Sequence, residues 1–275
     1  MPDDPNQSRA GMLCCKLFSP ILRVLLNSTF DNETLRVLAN RVSVRNFNNI
    51  PVNDELIDAV LKAAFRVPTS SNIQSYSVVV VRDPETKKQL AKSVGGQQHV
   101  IHCPVFLAFC ADLTRIDVAC KRNGFTLDNN NLELGLVSTL DAALVGTAAY
   151  IAADSVDLKG VMIGGARNNP EEIAQLLGLP PRVFCVFGMC LGFSDASPPQ
   201  KPRMRQPDVV HHERYDAAKV SAAIETYDAE LATHYRDAGT TTTDDSWSHD
   251  IAAKFGPRPR DGLRAALKRM GFDFA

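Results

Sequence analysis

Arg41, Ser43 and Arg45 alternate along the stretch RVSVRNF. Side chains two apart on an extended chain share a face. Two guanidinium groups with a hydroxyl between them form a donor set suited to a phosphate, although taken alone such a stretch is more often solvated charge. Lys201-Pro202-Arg203 holds two further cations apart with a stiff proline, a pattern most often met as plain surface charge. Gly164-Gly165 offers different chemistry. Without a Cβ it exposes backbone N–H groups and lets a planar ligand approach, yet a lone glycine pair is more often a tight turn that binds nothing. Its spacing is not the G-x-G-x-x-G of a dinucleotide-binding turn. Ser70, Ser71, Asn72 and Gln74 fall in the polar stretch PTSSNIQ, which reads by itself as a turn and cap cluster. Gln97 follows Gly95-Gly96, a helix stop, and is free to face a ligand.

These residues need elements to hold them. Val161-Met162-Ile163 is an apolar run of strand length, cut off by the glycine pair. A helix signal follows at once, with Asn169 at the N-cap, Pro170 at the first helical position, Glu172 three residues past the cap and Gly178 at C′. Upstream, Leu35, Leu38 and Val42 fit one helix face capped by Asp31 or Asn32. Asn53 caps a second helix with the face Leu56, Ile57, Val60, Leu61 and Ala64. The β-branched run 76–81 predicts a central strand, residues 85–94 a helix, and 105–110 and 183–191 two buried strands. Residues 131–156 predict the longest helix. It is apolar almost all round, with the stripe Leu132, Leu136, Leu140 and Leu144 and many small residues besides, and such a helix is expected to be buried on every side. It is either the spine of a large domain or the packing surface for its own copy. Residues 197–207 read as an extended proline-rich surface segment, 217–235 as a helix, 239–245 as a polar loop and 261–270 as a last helix. Strands separated by helices around one very buried helix predict a single α+β domain.

Bulk composition narrows the function classes. Of 275 residues, 45% are hydrophobic and 22% charged, as in an ordinary globular protein. A net charge of -1 argues against a nucleic-acid or membrane surface as the main partner. Seven cysteines form no metal spacing and no Cys-x-x-Cys pair, which reads as reduced thiols in a cytoplasmic protein. The six histidines form no spaced ligand set, and each is expected to be structural or superficial. Residues 1–28 read as a poorly structured extension ahead of a domain at 29–275. Their apolar run is interrupted by Lys16, Pro20 and Arg23, too short to span a bilayer and unlike a signal peptide.

Taken in order, R-x-S-x-R-x-F, P-T-S-S-N-x-Q, G-G-Q-x-H-V at 95–100, G-V-x-I-G-G-x-R-N-N at 160–169, F-G-x-C-L-G at 187–192, K-P-R and D-x-W-S at 245–248 resemble the nitroreductase family of FMN-dependent oxidoreductases, in its NADPH nitroreductase and flavin reductase branch. The resemblance runs from about Thr34 to the C-terminus. It implies an α+β three-layer sandwich with a mostly antiparallel sheet flanked by helices, in an intertwined homodimer whose C-terminal segments embrace the partner. It also implies non-covalent FMN at the dimer interface. Arg41, Ser43, Lys201 and Arg203 would surround the phosphate, with Arg45 near the N1/O2 edge and Gln97 on the pyrimidine edge. Gly164 and Gly165, with Ile163 before them, would lie against N5. Ser70, Ser71, Asn72 and Gln74 would reach the flavin held mainly by the other subunit. The implied reaction is ping-pong: NADPH or NADH gives hydride, and a nitroaromatic, quinone or free flavin takes two electrons, with no side-chain nucleophile or general base. A flavin-binding sensor or sequestering protein is the alternative. One departure stands out. Thr243 and Asp244 occupy the positions where NADPH-preferring members carry basic residues, which predicts easier acceptance of NADH.

Overall fold

The computed structural model describes residues 32–128, 132–240, 246–257 and 260–273; the extension 1–28 lies outside them. In chain order the helices are α1 (Glu33–Asn40), α2 (Asp54–Ala64), α3 (Pro84–Ser93), α4 (Gln98–His102), α5 (Thr114–Arg122), α6 (Leu132–Asp154), α7 (Pro170–Leu177), α8 (Gln206–Val209), α9 (Lys219–Asp237), α10 (Trp247–Phe255) and α11 (Leu263–Arg269). The strands are β1 (Tyr76–Val81), β2 (Val105–Asp112), β3 (Lys159–Ile163) and β4 (Val183–Gly192), in one antiparallel sheet of order β1-β2-β4-β3.

Alternation along β2 divides the core into two. Val105, Leu107, Phe109 and Ala111 face α2 and α6, while Phe106, Ala108 and Cys110 face α3, α4 and α7. Helices on both faces of a sheet give three layers, as the family resemblance implies. The register slips between Phe109 and Cys110, which pair with Phe187 and Cys185 and leave Val186 as a bulged residue. The bulge turns both Val186 and Phe187 toward α6. There Phe187 stacks on Phe109 at 5.1 Å. A Cβ on Gly146 of α6 would sit 2.3 Å from the Phe187 ring. That small residue therefore admits the helix to its own sheet rather than to a second helix. Cys103 just before β2, Cys110 on β2, and Cys185 and Cys190 on β4 are buried free thiols; hydrogen bonding to the neighbouring Cys185 and Cys103 thiols, and then burial, pushes those of Cys110 and Cys190 upward.

Caps and turns account for the local agreement. Asn32 accepts from the Leu35 N–H, Asn53 from the Leu56 N–H, and Gly178 ends α7 at φ 64° in the left-handed region. Asn169 departs from its expected part. Its side chain makes no cap and donates instead to Ser93 O at 2.9 Å, tying α7 to the end of α3.

Three expectations need correction. Val42 lies beyond α1, because the chain turns extended at Arg41, and α1 buries no residue. The run 76–81 is an edge strand with Val80 41% exposed, since a β-branched run has the same composition at an edge as at the centre. Helix α6 is not buried on every side. Asp141, Ala142, Val145, Gly146, Ala149 and Ala153 face the core, whereas Leu132, Leu136, Leu140 and Leu144 are 53%, 51%, 60% and 44% exposed. This is the described helix long and apolar enough to cross a membrane, and half of it is buried inside the domain.

Candidate active site

The candidate site grows from the edge of β3. The extended segment 41–48 runs beside that strand, with the Val44 N–H donating to Gly160 O at 2.9 Å and the Asn48 N–H to Phe193 O at 2.9 Å. The Tyr150 hydroxyl, rising from α6, lies 2.8 Å from Val42 O and 2.6 Å from Gly160 O and staples the segment to the strand. Arg41 lies over the Tyr150 ring at 5.3 Å. Burial raises the Tyr150 pKa, against the opposing pull of Arg41, so the phenol stays a neutral donor. Val44 points into the core at 1% exposure and Arg45 points out, the alternation expected of an extended run.

The glycine pair opens a 3-10 turn, Gly164–Arg167, directly after β3. A Cβ on Gly165 would lie 2.4 Å from Val94 O and 3.1 Å from Gln97 Nε2. Glycine is needed there because the turn is pressed onto the loop after α3, where Gln97 Nε2 donates to Val94 O at 3.0 Å. A Cβ on Gly164 would meet only Arg167 Nη2, at 3.5 Å. Ile163 is 1% exposed, so only its backbone can serve a ligand. The motif's Arg167 turns out to be structural. Its Nη1 donates at 2.6 Å to the carbonyl of Val186, the bulged residue of β4.

His99, at the start of α4, feels the charge of Arg45. Burial, and then the charge of Arg45, hold its imidazole below the usual histidine range. Its Nε2 is buried without a hydrogen-bond partner. A buried polar atom left unpaired is costly and points to a missing ligand or water. Sequence reasoning set His99 aside with the other histidines, although the motif G-G-Q-x-H contains it.

Lys201 and Arg203 reach the site from the C-terminal part. Gln200 Nε2 donates to Ala39 O at 2.5 Å, which brings this stretch beside Arg41. Lys201 Nζ bonds the Tyr235 hydroxyl at 2.9 Å, and Tyr227 donates to Pro202 O at 3.0 Å, so α9 carries the two cations. Both cations are exposed. Trp247 packs edge-on against Tyr227, and the Ser248 N–H and Oγ donate to Asp228 at 2.9 and 2.5 Å. The D-x-W-S motif thus docks α10 on α9. Thr241 to Asp245, with the Thr243-Asp244 departure, lie outside the described residues. Arg260 Nε donates to Asn168 Oδ1 at 2.9 Å, and its Nη2 lies 3.4 Å from Gly164 O, which brings a further cation to the glycine turn.

Arg41, Ser43, Arg45, Gln97, Ile163, Gly164 and Gly165 thus gather around the edge of β3, and the Gln200–Ala39 hydrogen bond brings Lys201 and Arg203 toward the Arg41 end of this group. Ser70, Ser71, Asn72 and Gln74 do not join it. They precede β1, at the opposite edge of the sheet from β3, three strand spacings of roughly 4.8 Å away.

The sequence pattern of the Nitroreductase family matches residues 38–193, and that of the Nitroreductase family, C-terminal domain, matches 201–275. The chain belongs to the nitroreductase family. It is 36% identical to an oxygen-insensitive NADPH nitroreductase of Salmonella typhimurium over 241 residues, covering 88% of this chain and 98% of that protein. It is 33% identical to an NAD(P)H FMN reductase of Bacillus subtilis over 244 residues, with the same coverage. Among solved structures, NfrA2 of B. megaterium superposes with a TM-score of 0.85 at 34% identity, covering 89% of this chain and 100% of that one. For this nitroreductase-family chain the sandwich is thus that of a known architecture.

The donor set fits FMN. Arg41, Arg45, Lys201 and Arg203 are cations suited to a phosphate, and the unpartnered His99 imidazole and the Gln97 amide are suited to a ring edge. The glycine pair at the start of the turn carries no Cβ.

Proposed function

We propose that this protein is an FMN-dependent NAD(P)H oxidoreductase that passes electron pairs to small acceptors such as nitroaromatics, quinones or free flavin. What supports the reading is the group at the edge of β3, where Arg41, Ser43 and Arg45 lie on the segment beside the strand, a glycine pair follows the strand, and the buried Nε2 of His99 has no partner. When bound, FMN supplies acceptance and donation of hydride at N5. The chain's own work is binding and electrostatics. Arg41, Ser43, Lys201 and Arg203 hold the phosphate, Gln97 and His99 offer hydrogen bonds to the ring edge, and Arg45 is a fixed cation that stabilises negative charge developing beside it. Backbone at Ile163, Gly164 and Gly165 presents polar groups at close range.

The functional unit is a homodimer. The exposed leucine stripe of α6 asks for a cover, and Ser70, Ser71, Asn72 and Gln74 complete a flavin site only across two copies. Helices α9 and α10, which bury few residues, belong to the C-terminal segment that embraces the partner, while Leu267, Met270 and Phe272 beyond them pack into the chain's own core. Reduced buried thiols suit the cytoplasm.

Arg203→Ala tests the phosphate cluster. Losing a hydrogen bond to a charged group costs roughly 1.5–3 kcal/mol, so FMN affinity falls about 10- to 150-fold, read by quenching of flavin fluorescence. A purified protein that is colourless and takes up no FMN overturns the whole reading. Steady NAD(P)H oxidation with a quinone separates an enzyme from a protein that only sequesters flavin.

The Thr243-Asp244 departure carries a second expectation. Without a basic pair for the 2′-phosphate, kcat/KM for NADH and NADPH lies within about tenfold. Steady-state kinetics at low and high salt check it. A preference for NADPH of about a hundredfold that collapses with salt would contradict it.

A further inference from the structure

Asp141 is the acidic residue in the middle of α6, and it is 0% exposed. Nothing in the sequence marks it as more than a polar residue in an apolar helix. Its carboxylate accepts from three donors: the Ser70 N–H at 3.2 Å on Oδ1, and the Ser75 N–H at 3.0 Å and Ser75 Oγ at 2.9 Å on Oδ2. A buried carboxylate is tolerated when its oxygens are satisfied in this way.

What it holds is unusual. Between the two anchored serines, Ser71, Asn72 and Gln74 adopt φ of 46°, 56° and 54°. Residues other than glycine enter this left-handed region rarely, and such strain persists only where the surroundings over-determine it. Asp141 constrains the N–H side of the loop. On the carbonyl side, Arg115 donates to Gln74 O at 3.3 Å and to Tyr76 O, and is itself paired with Asp112. An anion thus gathers the donors and a cation gathers the acceptors, while the side chains of Ser70, Ser71, Asn72 and Gln74 remain exposed. The same helix presents Leu140 and Leu144 to the outside.

We infer that Asp141 is a positioning residue of the flavin site, which locks the loop 70–75 in the shape that presents Ser70, Ser71, Asn72 and Gln74 to the flavin of a second copy. The inference rests on the reading that this loop reaches that flavin. Because Asp141 and the leucine stripe share one rigid helix, the loop is set in register with the second copy as α6 is.

Asp141→Asn is nearly isosteric, but its NH2 group must face a backbone N–H. Three measurements on the holoenzyme decide. Hydrogen exchange of the Ser70 and Ser75 amides is expected to accelerate at least tenfold, with exchange in β2 and β4 unchanged. FMN release on dilution, followed by flavin fluorescence, is expected to accelerate about tenfold. The visible circular dichroism of the bound flavin is expected to change, which a loss of stability alone would not cause. Ser75→Ala, which removes only the Oγ bond, should move all three the same way by less, and it decides the matter if Asp141→Asn does not fold. Unchanged exchange at Ser70 and Ser75 overturns the anchor. Faster exchange with unaltered FMN release, while Asn72→Ala does speed release, overturns the positioning role. If Asn72→Ala also leaves release unaltered, the reading that the loop reaches flavin fails, and this inference fails with it.

Discussion

Gly165→Ala will yield a protein that purifies largely without flavin and melts several degrees lower. The added methyl would stand 2.4 Å from Val94 O and 3.1 Å from Gln97 Nε2. The first of these is a backbone atom that cannot step aside, and it already accepts the Gln97 amide at 3.0 Å. Forcing a methyl into a filled space costs about 1–3 kcal/mol. Relief comes only by moving the 3-10 turn away from the loop after α3, which pulls the glycine backbone out of line with Gln97 and His99. The cost therefore falls on stability and on the site together. The ratio of flavin to protein absorbance, with the thermal midpoint, measures both. Gly164→Ala is the informative contrast, because its Cβ would meet only Arg167 Nη2 at 3.5 Å. That variant should keep its thermal midpoint while its methyl stands where a planar ligand must approach, so NAD(P)H oxidation slows although the fold is intact. A Gly165→Ala protein with full flavin content would show that the turn has slack the geometry does not reveal.

Leu140→Glu will separate the proposed homodimer and release FMN in the same step. Leu140 is 60% exposed in the single chain and sits in a stripe with Leu132, Leu136 and Leu144, one helical turn apart from each other. If that stripe is the two-fold contact, each substitution acts twice. Each copy then loses an apolar contact and buries an unpaired carboxylate, at several kcal/mol per site. A loss of about 4 kcal/mol raises the dimer dissociation constant about a thousandfold. Light scattering near micromolar concentration should then report the single-chain mass of 30.0 kDa, with free flavin in the filtrate. A dimer that survives and keeps its colour would place the interface elsewhere. Ala149→Glu would be a poor substitute. Ala149 is 0% exposed within the chain's own core, so a charge there unfolds the subunit before it can report on any partner.

The sequence by itself determined the parts governed by local chemistry. Asn32 and Asn53 cap their helices because a short acceptor can reach an unpaired N–H within three residues. Gly178 closes α7 because the left-handed residue at a helix end strains any side chain. The two buried strands were legible as continuous apolar runs, and the order of the motifs pointed to the family. Tertiary structure alone decided the rest, since the deciding partners are far apart in sequence. Whether 76–81 lies at the centre or the edge depends on how β2 and β4 pair between the other two strands, which no property of the run records. The direction of the α6 leucines depends on which side of the helix meets the sheet, and with apolar residues all round its surface the periodicity gives no preference. His99 joins the site only because burial orphans its Nε2 beside Arg45. Asp141 matters only because Ser70 and Ser75, 71 and 66 residues away, fold back onto it; hydrogen bonds that close such long loops leave no pattern in the local sequence.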